Sequence, residues 1–362
     1  MRRVLALPLI FACGPVAPPI TCPSGILVVT TDEQSATDTG VLPLDGTPAV
    51  MLEGNTAFGA DPALATSAGR RFLVARTLDT VIELGSCGQG INQQWSARAE
   101  GEDAGVNPQD VAVAADGSLW IARLGAGGAG VPSIDVVGPN ATTIDLSSFD
   151  SDGNPDASSI RIVGGRAFVA LERLNPYPTS AQPSQVEVID TTTRKGVATI
   201  TLQGRNPFGL MVQVGADKLW LAEPGNFADA TEANAGIEVV DTIALKSSLL
   251  ISEQTLGASV AEIAVGDSCA AAIVADPTPD VNRTSLVSFA LDGTNVRTAL
   301  GPTTGFDLRG LLWTNGKLLV GDKRPSSAGY PVHVFSADGT CALTAGADLT
   351  VPDLPPLAFA AP

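Results

Sequence analysis

Four oxygen-bearing side chains recur at alternate positions in one short acidic loop. They are Asp150, Asp152, Asn154 and Asp156, in the run that reads DSDGNPD. Calcium in proteins is coordinated by carboxylate and amide oxygens of this kind. The glycine stands earlier than in an EF-hand, and Asp, Asn, Gly and Pro also form ordinary turns. The sequence therefore allows a calcium site or an acidic turn, and it predicts no other cofactor.

Histidine chemistry has a single candidate residue. His333 is the only histidine of the chain, and it lies in the run Val332-His333-Val334, which has the pattern of a strand. A catalytic triad or a zinc site needs more partners of defined type than one histidine supplies. We therefore expect His333 to be a packing or surface residue, and the sequence favours a protein without catalytic activity over an enzyme.

The first residues have the composition of an export signal. Met1-Arg2-Arg3 is basic, and the apolar run 4–13 is too short to span a bilayer as a helix. Ala12-Cys13-Gly14 resembles the lipobox of bacterial lipoproteins, in which the cysteine carries diacylglycerol and becomes the new N-terminus. The resemblance implies a signal peptide at residues 1–12, a lipid anchor on Cys13 and an outer-membrane location, facing the periplasm or the cell surface. Residues 13–24 then form a proline-rich tether. The alternative is a plain signal peptide cut elsewhere.

The composition indicates the fold class and excludes one kind of partner. A formal net charge of -17 disfavours contact with the phosphates of nucleic acids. With 362 residues, 44% of them apolar, the chain can bury a sizeable core without help, so we expect a monomer. The 38 glycines and 26 prolines interrupt every long segment of helical apolar spacing, which predicts an all-β protein.

One stretch, residues 107–149, contains a complete copy of a repeated unit. It reads as four short strands separated by turn residues, at 110–114, 119–122, 134–137 and 143–146. The second strand of the unit recurs with a small residue at its end, at Ala75, Ala122, Ala170, Ala222, Ala275 and Gly321, in steps of 46 to 53 residues. Steps near this length are typical of β-propeller blades, so six blades are explicit.

A seventh blade can be assembled from both ends of the chain. The runs 25–31, 41–44 and 50–52 read as a second, third and fourth strand with no first strand before them. The run 354–360 resembles the first-strand openings of other units, such as NPQDVAVA from Asn107, and we expect it to supply the missing strand. Hydrogen bonds between the two ends then close the ring and remove its open edges. The predicted domain is a seven-bladed propeller over residues 25–362, with six blades as the alternative.

Two recurring markers resemble one group of propellers. A second strand that contains an aromatic residue, as in Trp120-Ile121-Ala122, accompanies a third strand that ends in Ile-Asp-Thr or Val-Asp-Thr, as at 189–191 and 240–242. From about Asp61 to Thr350 the chain is similar to the YVTN/NHL-type seven-bladed propellers of bacterial cell-surface and periplasmic proteins. The resemblance implies a fold and an extracytoplasmic setting, but propellers have many unrelated functions.

Charged residues follow the second strands where these reach one face of the ring. Loops after second and fourth strands leave on the same face, which we call the long-loop face. The charged residues there are Arg76, Arg123, Glu223, Asp276 and Asp322. Around the mouth of the central channel they could receive a small polar ligand or a loop of a partner protein, and the alternative is that they are solvated strand ends. His333 is placed away from this face.

Two functions from different classes fit this arrangement. We expect a binding or protein-interaction scaffold, whose ligand the sequence does not name. The alternative is a metal-dependent hydrolase similar to the calcium-dependent lactonases of another propeller family, for which Glu223, Asn206 and Asp276 are the available ligands. An enzyme requires buried carboxylates that meet in the channel, whereas a scaffold requires a broad polar rim.

The remaining cysteines occupy equivalent places in the repeat. Cys22 and Cys269 precede second strands, and Cys87 and Cys341 follow third strands, so all lie opposite the long loops. Disulfides Cys22–Cys87 and Cys269–Cys341 would each join neighbouring blades with the same offset. The pairing Cys22–Cys341 would leave the other two cysteines two blades apart. An exported protein permits disulfides, and reduced cysteines are the remaining alternative.

Overall fold

The computed structural model describes residues 24–54, 58–85, 88, 90–102, 105–125, 133–175, 179, 182–226, 232–276 and 283–361. Cys13, Cys22 and Cys87 lie outside these ranges. The strands in chain order are β1 Ile26–Thr31, β2 Thr37–Leu42, β3 Val50–Gly54, β4 Pro62–Ser67, β5 Arg70–Ala75, β6 Thr80–Leu84, β7 Ile91–Ser96, β8 Pro108–Val113, β9 Leu119–Arg123, β10 Ser133–Val137, β11 Thr142–Asp145, β12 Ala157–Val163, β13 Arg166–Leu171, β14 Gln185–Asp190 and β15 Gly196–Thr201. They continue with β16 Val212–Val214, β17 Lys218–Glu223, β18 Gly236–Asp241, β19 Lys246–Ser252, β20 Ser259–Val265, β21 Cys269–Asp276, β22 Arg283–Ala290, β23 Arg297–Leu300, β24 Leu308–Thr314, β25 Lys317–Asp322, β26 Tyr330–Ala337, β27 Leu343–Ala345, β28 Leu349–Val351 and β29 Pro356–Ala360. The short helix α1 is Glu253–Leu256, and 3-10 turns lie at Arg76–Leu78 and Ser147–Phe149.

The strands form seven antiparallel sheets, which are the blades of a propeller. Blade 1 has the strand order β29-β1-β2-β3, and blades 2 to 6 are β4 to β7, β8 to β11, β12 to β15, β16 to β19 and β20 to β23. Blade 7 contains β24 to β27, and β28 also pairs with β26. The prediction of an all-β, seven-bladed propeller is confirmed, and the six-bladed alternative is wrong.

The two ends of the chain meet in blade 1, as predicted. β29 pairs with β1 in antiparallel register, with Val28 opposite Phe359 and Leu27 opposite Ala360. Outside the strands, the backbone N–H of Thr31 donates to the carbonyl oxygen of Pro355 at 2.9 Å. The first strand of blade 1 is therefore supplied by the C-terminal end, and this strand closes the ring.

The apolar core consists of one cluster between each pair of neighbouring blades. In β9, Leu119 and Ile121 pack towards blade 2, whereas Trp120 and Ala122 pack towards blade 4. Side chains on a strand alternate between its two faces, and both faces of a blade are covered by neighbours. This explains why the second strands are continuously apolar, and it explains why no blade is stable without the next.

Turn chemistry sets the strand ends in the repeated unit. Between β8 and β9, the Asp116 carboxylate accepts hydrogen bonds from the backbone N–H of Ser118 at 3.0 Å and from its hydroxyl at 2.6 Å. Gly117 has a φ of 84°, which favours glycine. The indole of Trp120 in turn donates to Ser118 Oγ at 3.3 Å. The four strands predicted for residues 107–149 are all present, with small shifts at their ends.

One of the two predicted disulfides lies within the described residues. Cys269, the first residue of β21, is bonded to Cys341, with 5.5 Å between the Cα atoms. The bond joins blades 6 and 7 on the face opposite the long loops, so the predicted pairing Cys269–Cys341 is confirmed. The pairing of Cys22 with Cys87 stays a prediction, because both residues lie outside the described ranges.

Within the described ranges, none of the helices has the length and apolar character needed to cross a bilayer.

Candidate functional site on the long-loop face

The charged residues that end the second strands lie on the long-loop face, but they differ in exposure. Arg76 begins the 3-10 turn after β5 and pairs with Asp61 at 3.1 Å. The strands β9, β17, β21 and β25 end at Arg123, Glu223, Asp276 and Asp322. Arg123 and Glu223 are 0% exposed and Asp322 is 2% exposed. The alternative that the charged residues are solvated strand ends is therefore wrong for these three residues.

The side chain of Arg123 is held by an ion pair and by hydrogen bonds to nearby residues. Its guanidinium pairs with Glu102 and donates hydrogen bonds to the carbonyl oxygen of Ala97 at 3.1 Å and to Ser133 Oγ at 2.9 Å. A buried cation needs partners of this kind. Arg123 thus fastens the connection that precedes blade 3 to the blade itself, which is a structural role.

His333 lies against Asp322, a residue of the long-loop face. Its Nε2 is 3.0 Å from Asp322 Oδ2, and its Nδ1 is 3.0 Å from Asp348 Oδ1. The expectation that His333 lies away from this face is wrong, because β26 starts there and β28 turns back beside it. Its role as a packing residue stays a prediction.

Asp322 is a shared acceptor in this group. The Arg324 guanidinium also donates to it, at 2.6 Å from Oδ2. Although burial opposes the effect, the hydrogen bonds from His333 and Arg324 hold the pKa of Asp322 well below its usual range. The hydrogen bond with Asp322 raises the pKa of His333, again against the effect of burial. The group is an ion-paired cluster that keeps Asp322 charged.

Blade 4 brings two buried carboxyl groups together. Asp156 precedes β12, Glu172 follows β13, and both are nearly inaccessible to solvent. Burial raises the pKa of Asp156 to about 7. Burial, and then the charge of Asp156, raises the pKa of Glu172 well above its ordinary value, while Arg76 opposes that change. A positively charged ligand near these carboxyl groups would favour their ionised forms.

The acidic loop at residues 150–156, for which the sequence allows a calcium site or a turn, has the contacts of a hydrogen-bonded turn. Asp152 Oδ1 accepts from the backbone N–H of Asn154 at 2.8 Å, and Asn154 Nδ2 donates to Asp156 Oδ1 at 2.8 Å. The other oxygen of Asp156 accepts from the backbone N–H of Leu174 at 2.8 Å. Asp150 Oδ2 and Asn154 Oδ1 are buried without a hydrogen-bond partner. Calcium binding by this loop stays a prediction.

Blade 5 contains a buried carboxyl group, Glu223, whose neighbour is a second carboxyl group, that of Glu238. Neither carboxyl oxygen of Glu223 accepts a hydrogen bond from an N–H or hydroxyl group of the described residues, and the same is true of Oδ1 of Asn206. The amide nitrogen of Asn206 donates to the carbonyl oxygen of Gly225 at 3.0 Å. Burial, then the charge of nearby Glu238, and then a side-chain hydrogen bond with Glu238 raise the pKa of Glu223 well above its ordinary value. The carboxyl group of Glu223 therefore keeps its proton to a higher pH than an ordinary glutamate does.

The chain makes room for this carboxyl group. A Cβ atom on Gly204 would lie 1.8 Å from Glu223 Oε2, so only glycine fits there. The backbone N–H groups of Gln203 and Gly204 donate to the carboxylate of Glu238 at 3.0 and 2.8 Å. Backbone donors thus hold the Glu238 carboxylate, and the neighbouring Glu223 has no backbone donor of its own.

The sequence analysis named Glu223 and Asn206 as available ligands. It did not identify Glu172 or Glu238, and it named Asp156 as a residue of the acidic loop but not as a buried acid. A signal for Glu238 was present: the third-strand markers SIDVVG, QVEVID and GIEVVD each carry an acidic residue at their third position. These are Asp135, Glu187 and Glu238, and all three are buried. An acidic residue inside an otherwise apolar strand needs a special environment.

The carboxyl groups do not converge on a single point. In the part of the chain that the structure describes, no three or more His, Cys, Asp or Glu side chains are placed to hold a metal ion. The site is therefore a set of buried ionisable groups distributed around the channel mouth, mainly in blades 4, 5 and 7.

No protein-family model matches the sequence, and no curated relative matches it.

Solved structures of low sequence identity share the architecture. Hydrazine synthase of Kuenenia stuttgartiensis is 13% identical with a TM-score of 0.54, over 81% of this chain and 86% of its own. A catalytically inactive virginiamycin B lyase from Staphylococcus aureus with quinupristin is 10% identical with a TM-score of 0.54, over 79% and 84%. The dihydro-heme d1 dehydrogenase NirN is 14% identical with a TM-score of 0.53, over 95% and 76%. At these identities the likeness shows the β-propeller fold alone.

Proposed function

We propose that this chain is a lipid-anchored, extracytoplasmic propeller of the YVTN/NHL type that acts as a binding scaffold through its long-loop face. The observation that carries the proposal is a set of buried side-chain oxygens in blades 4 and 5 that accept no hydrogen bond from an N–H or hydroxyl group of the described residues. It comprises Asn154 Oδ1, Asn206 Oδ1 and both carboxyl oxygens of Glu223. A buried polar atom without a partner costs about 1–3 kcal/mol, and native proteins keep few of them. A ligand that supplies positive charge or hydrogen-bond donors would remove this cost.

The setting outside the cytoplasm is supported by the disulfide Cys269–Cys341. Structural disulfides persist in oxidising compartments and are rare in the cytosol of most cells. The basic and apolar leader before Cys13 agrees with export to the outer membrane.

Membrane attachment should depend on Cys13. Replacement of Cys13 by Ser is expected to move the protein from the membrane fraction to the soluble fraction, because the lipid chains supply the anchoring free energy. Fractionation of cells that express each form measures this effect. Cys341→Ser is a poor control because it breaks a disulfide, so Ser35→Ala, at an exposed position of the propeller, serves instead. Unchanged membrane association of Cys13→Ser would contradict the anchor.

A metal-dependent hydrolase is the second candidate. It is favoured by the oxygens of Glu223 and Asn206 that accept no hydrogen bond from an N–H or hydroxyl group of the described residues, and these oxygens lie on neighbouring segments of blade 5. Against it, the described residues contain no three acidic or histidine side chains suited to a metal ion. A scaffold with several separate buried acids agrees better with distributed groups than an enzyme does.

A thermal-shift experiment on the domain without its leader separates the two candidates. Calcium, magnesium, small organic amines and a lactone are each added, since a ligand that binds only the folded state raises the melting temperature. We expect a cation or an amine to stabilise the wild type but not Glu223→Gln, and the lactone to remain intact. Asp292→Asn, an exposed carboxyl on the opposite face, is the matched control.

Each outcome of this experiment has a defined meaning. Stabilisation that survives in Glu223→Gln would place the ligand elsewhere, and no stabilisation by any cation or amine would contradict the proposed chemistry of the face. Calcium-dependent hydrolysis of the lactone that Glu223→Gln abolishes would favour the hydrolase.

A further inference from the structure

A cavity lies at the junction of blades 6 and 7, on the face opposite the long loops. Its volume is about 250 Å³. It is lined by the turn between β20 and β21, by the turn between β24 and β25, and by the end of β26; the lining residues that carry side-chain chemistry are Asp267, Ser268, Trp313, Thr314 and Asn315. None of these residues belongs to the long-loop face, so the cavity is independent of the function proposed above.

Trp313 contributes a hydrogen-bond donor that has no acceptor. Its indole Nε1 is buried and makes no hydrogen bond within the described residues. One face of the ring is covered by Gly266, where an added Cβ atom would lie 3.0 Å from Trp313 Cδ2. A buried indole N–H normally finds a partner. An acceptor for this donor, whether a water molecule or a ligand atom, must therefore come from outside the described residues.

The cavity also presents exposed polar groups of both kinds. The Asp267 carboxylate is an acceptor, the Asn315 amide is a donor and an acceptor, and the Thr314 hydroxyl can act as either. Asp267 and Asn315 are exposed, and both belong to turns that face the cavity. A ligand that fits must accept from the indole and the amide, and it must donate to the carboxylate.

The disulfide fixes the walls of the cavity relative to each other. Cys269 lines the cavity and is bonded to Cys341, which follows β26. One wall, residues 265–269, belongs to blade 6, and the other, residues 313–316, belongs to blade 7. A covalent link across this junction holds the two sets of polar groups at a constant separation, which lowers the cost of binding.

We propose that this cavity binds a single sugar unit of a saccharide. A sugar hydroxyl both donates and accepts, so it can satisfy the Trp313 N–H and the Asp267 carboxylate together, and the C–H groups of the ring can pack on indole carbons. The volume is below the ~300 Å³ at which sites for drug-sized ligands begin, which limits the ligand to about one ring. An organic ammonium ion would pair with Asp267, but it would leave the indole N–H and the amide N–H without acceptors.

Nuclear magnetic resonance of the whole domain tests this assignment. The methyl glycosides of glucose, galactose, mannose and N-acetylglucosamine are titrated separately, and the indole N–H signals of the tryptophans are followed. The indole N–H signal of Trp313 is identified by its absence from the spectrum of Trp313→Phe. At least one glycoside should shift this signal in the wild type. The same substitution should lower the affinity about tenfold, the scale of one lost hydrogen bond.

A matched pair of turn variants separates binding from folding. Asn315 has a φ of 49° and Asn295, in an exposed turn outside the cavity, has a φ of 60°, so glycine is tolerated at both. Asn315→Gly should weaken glycoside binding, whereas Asn295→Gly should leave it unchanged. The proposal is overturned if no glycoside shifts the Trp313 signal, if tetramethylammonium shifts it and the glycosides do not, or if Asn315→Gly binds like the wild type. Glycoside binding that persists in Glu223→Gln shows that this site does not depend on the long-loop face.

Discussion

A chain that lacks residues 354–362 is expected to melt far below the full domain and to associate in solution. The deletion removes β29, and β1 then has an unpaired edge along residues 27–30. Unpaired strand edges recruit other chains, which is the reason that closed rings avoid them. We expect a fall in melting temperature on the order of 10 °C, as a loss of several kcal/mol gives. Thermal melting and size-exclusion chromatography measure the two effects.

The closing strand matters because it belongs to two apolar clusters at once. Phe359 packs with blade 7 residues such as Leu319 and Val351, whereas Ala360 packs with blade 2 residues such as Leu73. Loss of the strand therefore weakens the blade junctions on both of its sides. The single substitution Phe359→Ala should cost about 3 kcal/mol and leave the ring closed.

Gly321 provides a point substitution that acts on the same contact. A Cβ atom there would lie 2.9 Å from Cγ of Pro356 and 2.5 Å from the carbonyl oxygen of Arg309. Gly321→Ala should thus push β29 away from blade 7 and lower the melting temperature. Gly339→Ala, where nothing lies within 4 Å of the added atom, is the matched control and should be neutral. A truncated domain that keeps its melting temperature and its monomeric state would show that closure contributes no stability.

The fold was predictable because its physical causes are local and repeated. Each second strand is continuously apolar since both of its faces are covered, and a run such as Leu119–Arg123 repeats at a nearly constant interval. The closure followed from a missing first strand at one end and a spare strand at the other. The pairing Cys269–Cys341 followed from the register of the blades, because residues at equivalent places of neighbouring blades lie close together.

The candidate site was less predictable because it depends on distances between blades. The sequence placed Arg123 and Glu223 at equivalent strand ends, yet Arg123 donates to several acceptors whereas Glu223 accepts from no N–H or hydroxyl group of the described residues. That difference arises from Glu102 in one connection and from Gly204 in another. The position of His333 was predicted wrongly for a similar reason. In blade 7 the strand β26 pairs with both β27 and β28 along its outer edge, and the repeat pattern of the other blades did not indicate this division.

The stability of the domain is expected to fall as the pH rises from about 5 to about 8. The cause is the group of buried carboxyls on the long-loop face, Asp156, Glu172 and Glu223, whose pKa values are all raised. An acid with a raised pKa keeps its proton in the folded state after the unfolded state has lost it. The folded state then binds more protons than the unfolded state, so its stability is fully present at low pH and is lost as the pH rises.

Other titrating groups do not cancel this trend within the same interval. The pKa of Asp156 rises from 3.8 to about 7. This rise corresponds to a loss of stability on the order of 3 kcal/mol between about pH 5 and about pH 8. The raised pKa of His333 acts in the same direction, because its ion pairs with Asp322 and Asp348 are lost as the pH passes the folded-state value. The lowered pKa of Asp322 matters only below the ordinary value of 3.8.

Glu223→Gln tests the origin of the effect. The amide is uncharged at every pH, so this variant should be more stable than the wild type at about pH 8, should gain nothing at about pH 5, and should show a smaller slope between them. Asp292→Asn is the control, because its carboxyl is exposed and has a lowered pKa, and any change should be the same at both pH values. If Glu223→Gln keeps the slope of the wild type, Glu223 does not contribute to the pH dependence. If the slope becomes smaller as expected, calcium or an amine, added at about pH 8, should raise the stability of the wild type and have no effect on the variant, because cation affinity increases as the carboxyl loses its proton.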